Sequence, residues 1–341
     1  MLQPQEAQVS ESDLLHAVAV GQLKEGKRYQ ATQAVVEAAS FGPVKSLLAK
    51  GDLEKASAII ETCRQLNLEV WPITSARYPA PLREISAPPP VLYAHTLHAD
   101  RQIPIQAIGV VGTRAASIEV CRQTSELSAS LARAGLTVVS GLALGIDGAA
   151  HRGALESGLD CPTIAVLAHG LDRVYPPSHL GLAREILDAG GVIVSEYAPG
   201  VEPMKHHFLA RNRIIAGLSR GVVVVQAGAR SGSLVTANFA ADYGRDVFVV
   251  QGAPDEERSL GGATLIEQGA TAIFCANDIL DEYGIRSSHA HALDTSLWTT
   301  MSLESFMTVT SLSQGEVLRL ELEGRLERLP GNQVRVSPTV V

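Results

Sequence analysis

Aromatic residues make up only 4% of this 341-residue chain. It has four cysteines, none of them in a CxxC pair: Cys63, Cys121, Cys161 and Cys275. Scattered cysteines of this kind exclude a disulfide scaffold and a cysteine zinc site, and they suit reduced thiols in a cytoplasm. No apolar run approaches the ~18 residues that span a bilayer, and no basic stretch followed by an apolar core marks a signal peptide. The expected setting is therefore a soluble cytoplasmic protein with no membrane partner. One further absence is local. From Pro203 to Ala241 there is no Asp or Glu, while Lys205, Arg211, Arg213, Arg220 and Arg230 bring five positive charges into a chain of net charge −8. A cationic island in an acidic protein points to a local anion site, because local potential governs binding more than the total does.

What is present is a regular α/β pattern. Residues 1–68 read as short helices, with apolar positions recurring at three and four. The passage "ARYPAPLREISAPPPVLY" is too rich in proline for helix, and it reads as an extended cover over the next domain. Then come "AIGVVG", "LTVVSG", "TIAVLA", "GVIVSE", "GVVVVQA", "DVFVVQG" and "TAIFC", separated by helix-length segments. Such short apolar runs without alternation suit strands buried on both faces, hence a doubly wound, mainly parallel sheet over residues 69–284. Ligands of that fold sit at the carboxyl ends of the strands. Residues 285–341 read as a linker, a helix over Ser313–Glu323 and a hairpin about Pro330-Gly331-Asn332, the outline of a winged-helix module.

Four strand ends carry unusual loops. "VVGTRAAS" sets Gly112, Thr113 and Arg114 before a helix start, which suits a phosphate; the plain alternative is a glycine turn with a surface arginine. "SGLALGIDGAAHRGAL" has no P-loop lysine and no GxGxxG spacing. Its Ser140, Gly141 and Gly145 form a loop whose glycines would let backbone approach a ligand closely. Asp147 is expected to cap the following helix, and His151 lies on the same face. As a pair they would be an acid and a base, but no nucleophile or metal cluster accompanies them, so a structural role is preferred. "MKHHFLARNRIIAGLS" brings Lys205, Arg211, Arg213 and Asn212 around Phe208, a cation for phosphate beside an aromatic ring for base stacking. The alternative is a core ring with paired arginines, which the lack of local acids argues against. His206 and His207 have no third ligand nearby, so no metal is expected. Finally, "GARSGSLVTANFAADYG" offers Ser231, Gly232, Ser233 and Thr236 at a helix start, a phosphate cradle or an ordinary serine cap.

These loops, taken in order with "YPAPLREISAPPPVLY", "TIAVLAHGLDRVYPPSH", "SEYAPG" and "LIEQGA", resemble the DNA-processing protein A family (DprA, also called Smf) from about Tyr78 to Ala270. The resemblance implies an extended Rossmann-like fold and a homodimer. It also implies a role without catalysis and without a cofactor: binding and protecting incoming single-stranded DNA during natural transformation and helping to load the RecA recombinase. A single-strand-binding protein is a further partner to consider. Gly112, Arg114, Lys205, Phe208, Arg211, Asn212 and the stretch from Ser231 to Thr236 carry over by motif. Two positions depart from the family pattern: Gln226 stands where Glu is usual, and Gln251 where Pro-Gly is usual. A competing reading is a nucleotide-binding or nucleotide-processing enzyme, which requires a carboxylate in the phosphate cradle. A third is a scaffold that uses only its flanking domains.

Overall fold

The computed structural model describes residues 10–98, 103–251 and 256–285, and beyond these 299–302, 307, 317, 320, 325–329 and 333–336. The chain starts with three helices, α1 (Glu11–Gly21), α2 (Glu25–Ala38) and α3 (Lys50–Gln65). Ser10 caps α1, its hydroxyl accepting the Asp13 N–H at 3.0 Å, as an N-cap serine does for an otherwise unpaired helix donor. Ala17, Val18, Ala19 and Val20 at the end of α1 are all buried, so the helix is enclosed on every side there. They belong to one hydrophobic cluster with Trp71, Tyr78, Leu92 and the sheet residues Val192 and Val222.

The proline-rich passage does more than cover the sheet. It leads from β1 (Glu69–Pro72) through a single helical turn, α4 (Ala80–Arg83), into β2 (Val91–His95). β2 pairs antiparallel with β1 on one side and with β6 (Val192–Ser195) on the other. Proline has no N–H to give a ladder, and pairing begins at the residue after Pro90. Tyr78 ties the passage down by donating its hydroxyl to the Pro89 carbonyl at 2.8 Å.

The seven apolar runs are all strands. In order they are β3 (Ala107–Val111), β4 (Thr137–Ser140), β5 (Thr163–Leu167), β6, β7 (Gly221–Val224), β8 (Asp246–Val250) and β9 (Thr271–Ile273). Between them lie α5 (Ile118–Arg133), α6 (Ile146–Leu155), α7 (Leu180–Asp188), α8 (Lys205–Leu218), α9 (Gly232–Asp242) and α10 (Glu256–Glu267), with α11 (Ala276–Glu282) after β9. In α5, Val120, Thr124, Leu127 and Leu131 are buried at helical spacing, and the Ser117 hydroxyl accepts from Val120 N–H. The sheet order is β1-β2-β6-β5-β4-β3-β7-β8-β9, with β3 to β9 parallel. This is the doubly wound α/β fold expected.

Winding runs from β3 outwards to β6, then α8 carries the chain back over the sheet to β7, on the other side of β3. The strand order therefore reverses between β3 and β7. At the C-terminal end, β10 (Thr299–Ser302), β11 (Leu326–Leu329) and β12 (Gln333–Val336) form a small antiparallel sheet in the order β10-β12-β11. Val317 and Leu320 are buried with Leu326, Val334 and Val336. Apart from those two positions the helix expected over Ser313–Glu323 lies outside the described residues, as do the turn at Pro330-Gly331-Asn332 and residues 286–298. Among the described residues, no helix is long and apolar enough to cross a membrane.

Candidate nucleic-acid interface

In an open α/β sheet a crevice opens where the strand order reverses, outside the carboxyl ends of the strands. Here that point lies between β3 and β7, and a cleft of about 590 Å3 stands at it. Gly112, Thr113 and Arg114 border it from the end of β3. Lys205, Phe208, Arg211 and Asn212 reach it from α8. Ser231, Gly232, Ser233 and Thr236 reach it from the start of α9. Of the residues expected to bind, only Arg213 is missing.

The glycine loop after β4 answers a different need from the one expected. A Cβ on Gly141 would overlap the Arg211 guanidinium, and one on Gly145, whose φ is +72°, would overlap the Thr113 carbonyl. The glycines thus admit the protein's own groups, not a ligand. Asp147 does not cap α6, whose N-cap position is Gly145. Its carboxylate instead accepts the N–H groups of Gly141 at 3.1 Å and Ala143 at 3.4 Å. Between them, Leu142 takes a left-handed φ of +56°, held on both sides: its N–H donates to His151 Nε2 at 3.3 Å, and its carbonyl accepts from His179 Nδ1 at 3.0 Å. With Nε2 accepting, His151 carries its proton on Nδ1 and donates to the Thr163 hydroxyl at 2.6 Å, which donates on to the Val138 carbonyl at 2.7 Å. Burial, with the nearby His179 and Arg211 charges, pushes the His151 pKa down to about 3. The ring is neutral and both its nitrogens are engaged. Ser140, also fully buried, donates to the Val110 carbonyl at 2.7 Å.

Arg211 was expected to meet phosphate, and its position corrects that. It is only 4% exposed, and its guanidinium donates to the carbonyls of Gly141, at 2.9 Å, and Val166. Burial lowers its pKa to about 10, with Asp147 opposing the shift. Asp147 in turn is raised by burial and drawn back by Arg211 and its two backbone donors. Arg211 is thus a brace at the floor of the cleft. Asn212 is a second brace: its Oδ1 accepts from Arg211 Nε at 3.2 Å, and its Nδ2 donates to the Gly232 carbonyl at 3.1 Å. Arg213 lies outside the cleft. Its guanidinium forks onto the Glu196 carboxylate at 2.7 and 2.9 Å, and both side chains are nearly buried. The acid absent from the neighbouring sequence arrives from the end of β6.

The rest of the wall is free to bind. Lys205 and Arg114 are exposed, and neither is in an ion pair among the described residues. The Arg114 guanidinium lies 4.9 Å over the Phe208 ring, a cation–π contact. Tyr175, which sequence spacing did not mark, brings a second ring to 5.9 Å from Phe208 at a tilt of 56°. It is 44% exposed and lines the same cleft. Its only local signal is an aromatic residue ahead of the Pro176-Pro177 pair. On the far wall, Ser231 caps α9 by accepting Ser233 N–H at 3.3 Å, and the two hydroxyls meet at 2.6 Å. The positive dipole end of α9 borders the cleft there and suits an anion, while the Ser233 and Leu234 N–H groups are already taken by the Ser231 hydroxyl and carbonyl.

A profile of the family described as DNA recombination-mediator protein A matches residues 69–284. The chain is 42% identical over 227 residues to protein Smf of Synechocystis sp., a match covering 66% of this chain and 56% of that one. It is 37% identical over 259 residues to the DNA processing protein DprA of Bacillus subtilis, covering 74% and 84%. The chain thus spans little more than half the length of the first relative and most of the second. Two solved structures share the fold. DprA of Streptococcus pneumoniae gives a TM-score of 0.62 at 32% identity over 79% of this chain and 96% of that one. DprA of Helicobacter pylori, described for its single-stranded DNA binding mode, gives 0.56 at 30% over 63% and 95%.

Proposed function

This chain belongs to the DNA recombination-mediator protein A family, and from that premise we propose that its cleft binds single-stranded DNA. The observation that carries the reading is one wall with two kinds of group. Phe208 and Tyr175 present ring surface beside the cations Lys205 and Arg114, which form no ion pair among the described residues, facing the N-terminus of α9. Rings that stack unpaired bases, next to charges that follow the phosphates, are what a single strand needs and a duplex cannot use. On entry a base replaces Arg114 on the Phe208 face, and the freed guanidinium turns to a phosphate. The single-stranded DNA bound by the Helicobacter pylori relative supports this reading.

The protein acts as a mediator without turnover, protecting incoming strands in natural transformation, working as a homodimer and passing the strand to the RecA recombinase. The engagement of both His151 nitrogens supports a role without catalysis. Asp147 does border the cleft, as the enzyme alternative demands, but one of its oxygens already holds two backbone N–H groups. Sustained nucleotide hydrolysis that disappears in Asp147→Asn would favour the enzyme.

The deciding experiment is a salt series of single-strand affinities. Each phosphate contact gives a slope of roughly −0.7 in log affinity against log salt. Lys205→Ala should therefore flatten the slope by about that amount. Phe208→Ala should leave the slope alone and cost ~1–3 kcal/mol, because stacking releases no counterions. A Phe208→Ala protein that binds single strands like wild type would remove the ring from the site.

A further inference from the structure

Asp147 keeps one oxygen that the fold does not use. The residue is 7% exposed, and a single carboxylate oxygen, Oδ2, accepts both backbone N–H groups, that of Gly141 and that of Ala143. Oδ1 accepts no hydrogen bond among the described residues and is not closed off from solvent. The space it meets is the cleft, which Asp147 lines together with Val111, Ala143 and Ile215. At about 590 Å3 the cleft lies within the range that takes a whole small molecule, so a base has room to reach its floor.

The charge of that floor decides what meets it. Burial raises the Asp147 pKa, and Arg211, the two backbone donors and Arg114 draw it back. With two guanidinium charges acting on it, the group stands as a carboxylate, an acceptor with no proton to give. Such a group repels phosphate and attracts a donor. The phosphates of a bound strand therefore keep to the rim with Lys205, and a base turns inward.

Arg114 marks where that base lies. Its guanidinium acts on the Asp147 charge and also lies 4.9 Å over the Phe208 ring. A base that displaces it from the ring comes to lie beside Asp147, with its edge facing the carboxylate in place of the guanidinium. Aspartate accepts from the N4 amine of cytosine, whereas thymine carries the acceptor O4 at the same ring position.

We infer that Asp147 reads the base stacked on Phe208, its Oδ1 accepting a hydrogen bond from an exocyclic amine, so that this one position favours cytosine over thymine. The inference rests on the reading of the cleft as the single-strand site. It gives a task to the lone carboxylate on the floor of an anion-binding cleft. Being confined to one base, it leaves the rest of the strand free in sequence.

The test uses the full-length protein and three fluorescein-labelled strands of equal length, built from deoxycytidine, from its N4,N4-dimethyl derivative and from thymidine. Polarisation in mildly alkaline buffer reads affinity, and a thermal melt reads the fold. Wild type should bind the deoxycytidine strand about 5–10-fold more tightly than either of the others, the scale of one net hydrogen bond. The dimethyl strand keeps the ring and the phosphates and lacks only the donor, so this comparison needs no variant. Asp147→Asn supplies the second arm. Its amide oxygen is held by the Gly141 and Ala143 N–H groups, which turns the NH2 group to the cleft as a donor. The preference should therefore reverse, with thymidine bound more tightly than deoxycytidine through O4. A lower melting temperature would weaken all three strands together and leave that reversal readable as a ratio. Equal wild-type affinity for the deoxycytidine and dimethyl strands would overturn the inference. So would an Asp147→Asn protein that keeps the wild-type order of strands, since the carboxylate would then be structural. A wild-type protein that binds none of the strands, or Lys205→Ala and Phe208→Ala variants that bind all three like wild type, overturns the cleft reading instead.

Discussion

Gly141 lies where any side chain would strike the Arg211 guanidinium, so the first glycine of the loop and the buried arginine are two halves of one packing arrangement. Gly141→Ala must push Arg211 off the Gly141 and Val166 carbonyls. The expected cost is at least ~1–3 kcal/mol, the range for overpacking a close-packed site. Denaturant unfolding reads it, and single-strand affinity should fall with it because the floor of the cleft moves. His151 makes a second prediction at this scale. Its folded pKa of about 3 lies below the roughly 6.5 of a free histidine, so the unfolded chain binds a proton that the folded chain refuses. Its contribution to stability is complete above about pH 6.5 and is lost as pH falls towards 3, with a slope of up to ~1.4 kcal/mol per pH unit. His95, His169 and His207 are shifted the same way by burial, so the informative quantity is a difference. Urea melts at pH 7, 6 and 5 should show a flatter pH dependence in His151→Gln than in wild type.

Helix α8 divides its labour by face. Lys205, Phe208, Asn212 and Ile215 recur at spacings of three and four and meet the cleft together. Arg213, one residue past Asn212, is turned a full hundred degrees or so about the axis and meets Glu196 instead. Counting charge in a window of sequence credited Arg213 to the anion site. The window held no acid, but the fold brought one from β6. Glu196→Ala should leave Arg213 buried and uncompensated, at a cost of about 3–5 kcal/mol in unfolding free energy. Replacing both members by apolar residues should recover much of it, as buried pairs often allow. Neither change should alter the salt slope of single-strand binding. A reduced slope in the double variant would return Arg213 to the site.

For the whole molecule, the net charge of −8 is compatible with the proposed single-strand cleft because Lys205 and Arg114 stand together on its wall. The same reasoning assigns the C-terminal residues a lesser part. Over Ser313–Glu323 the sequence carries Glu316, Glu321 and Glu323 against Arg319, a charge balance that repels phosphate. Deleting residues 288–341 should leave single-strand affinity within a few-fold of wild type. A loss of two orders of magnitude in a fragment that still melts cooperatively would show that the C-terminal sheet shares the strand.

The amino-acid sequence was enough for the seven parallel strands, because a strand buried on both faces must be a short apolar run, and it pointed to the sheet edge where the candidate site is placed. Parallel strands present their carboxyl ends on one edge, so the loops of Gly112–Arg114, Ser140–Asp147 and Ser231–Thr236 had to converge there once the strands were recognised. It did not reveal β1 and β2, whose prolines masked their pairing. Nor did it reveal Tyr175, which reaches Phe208 only through space. The tertiary structure alone decided which charges stay free. Lys205 and Arg114 remain open to a ligand, Arg211 is taken by the carbonyls of Gly141 and Val166, and Arg213 by Glu196. A charge takes its partner from whatever the fold brings within a few ångströms, and along the chain those partners lie 17 to 70 residues away.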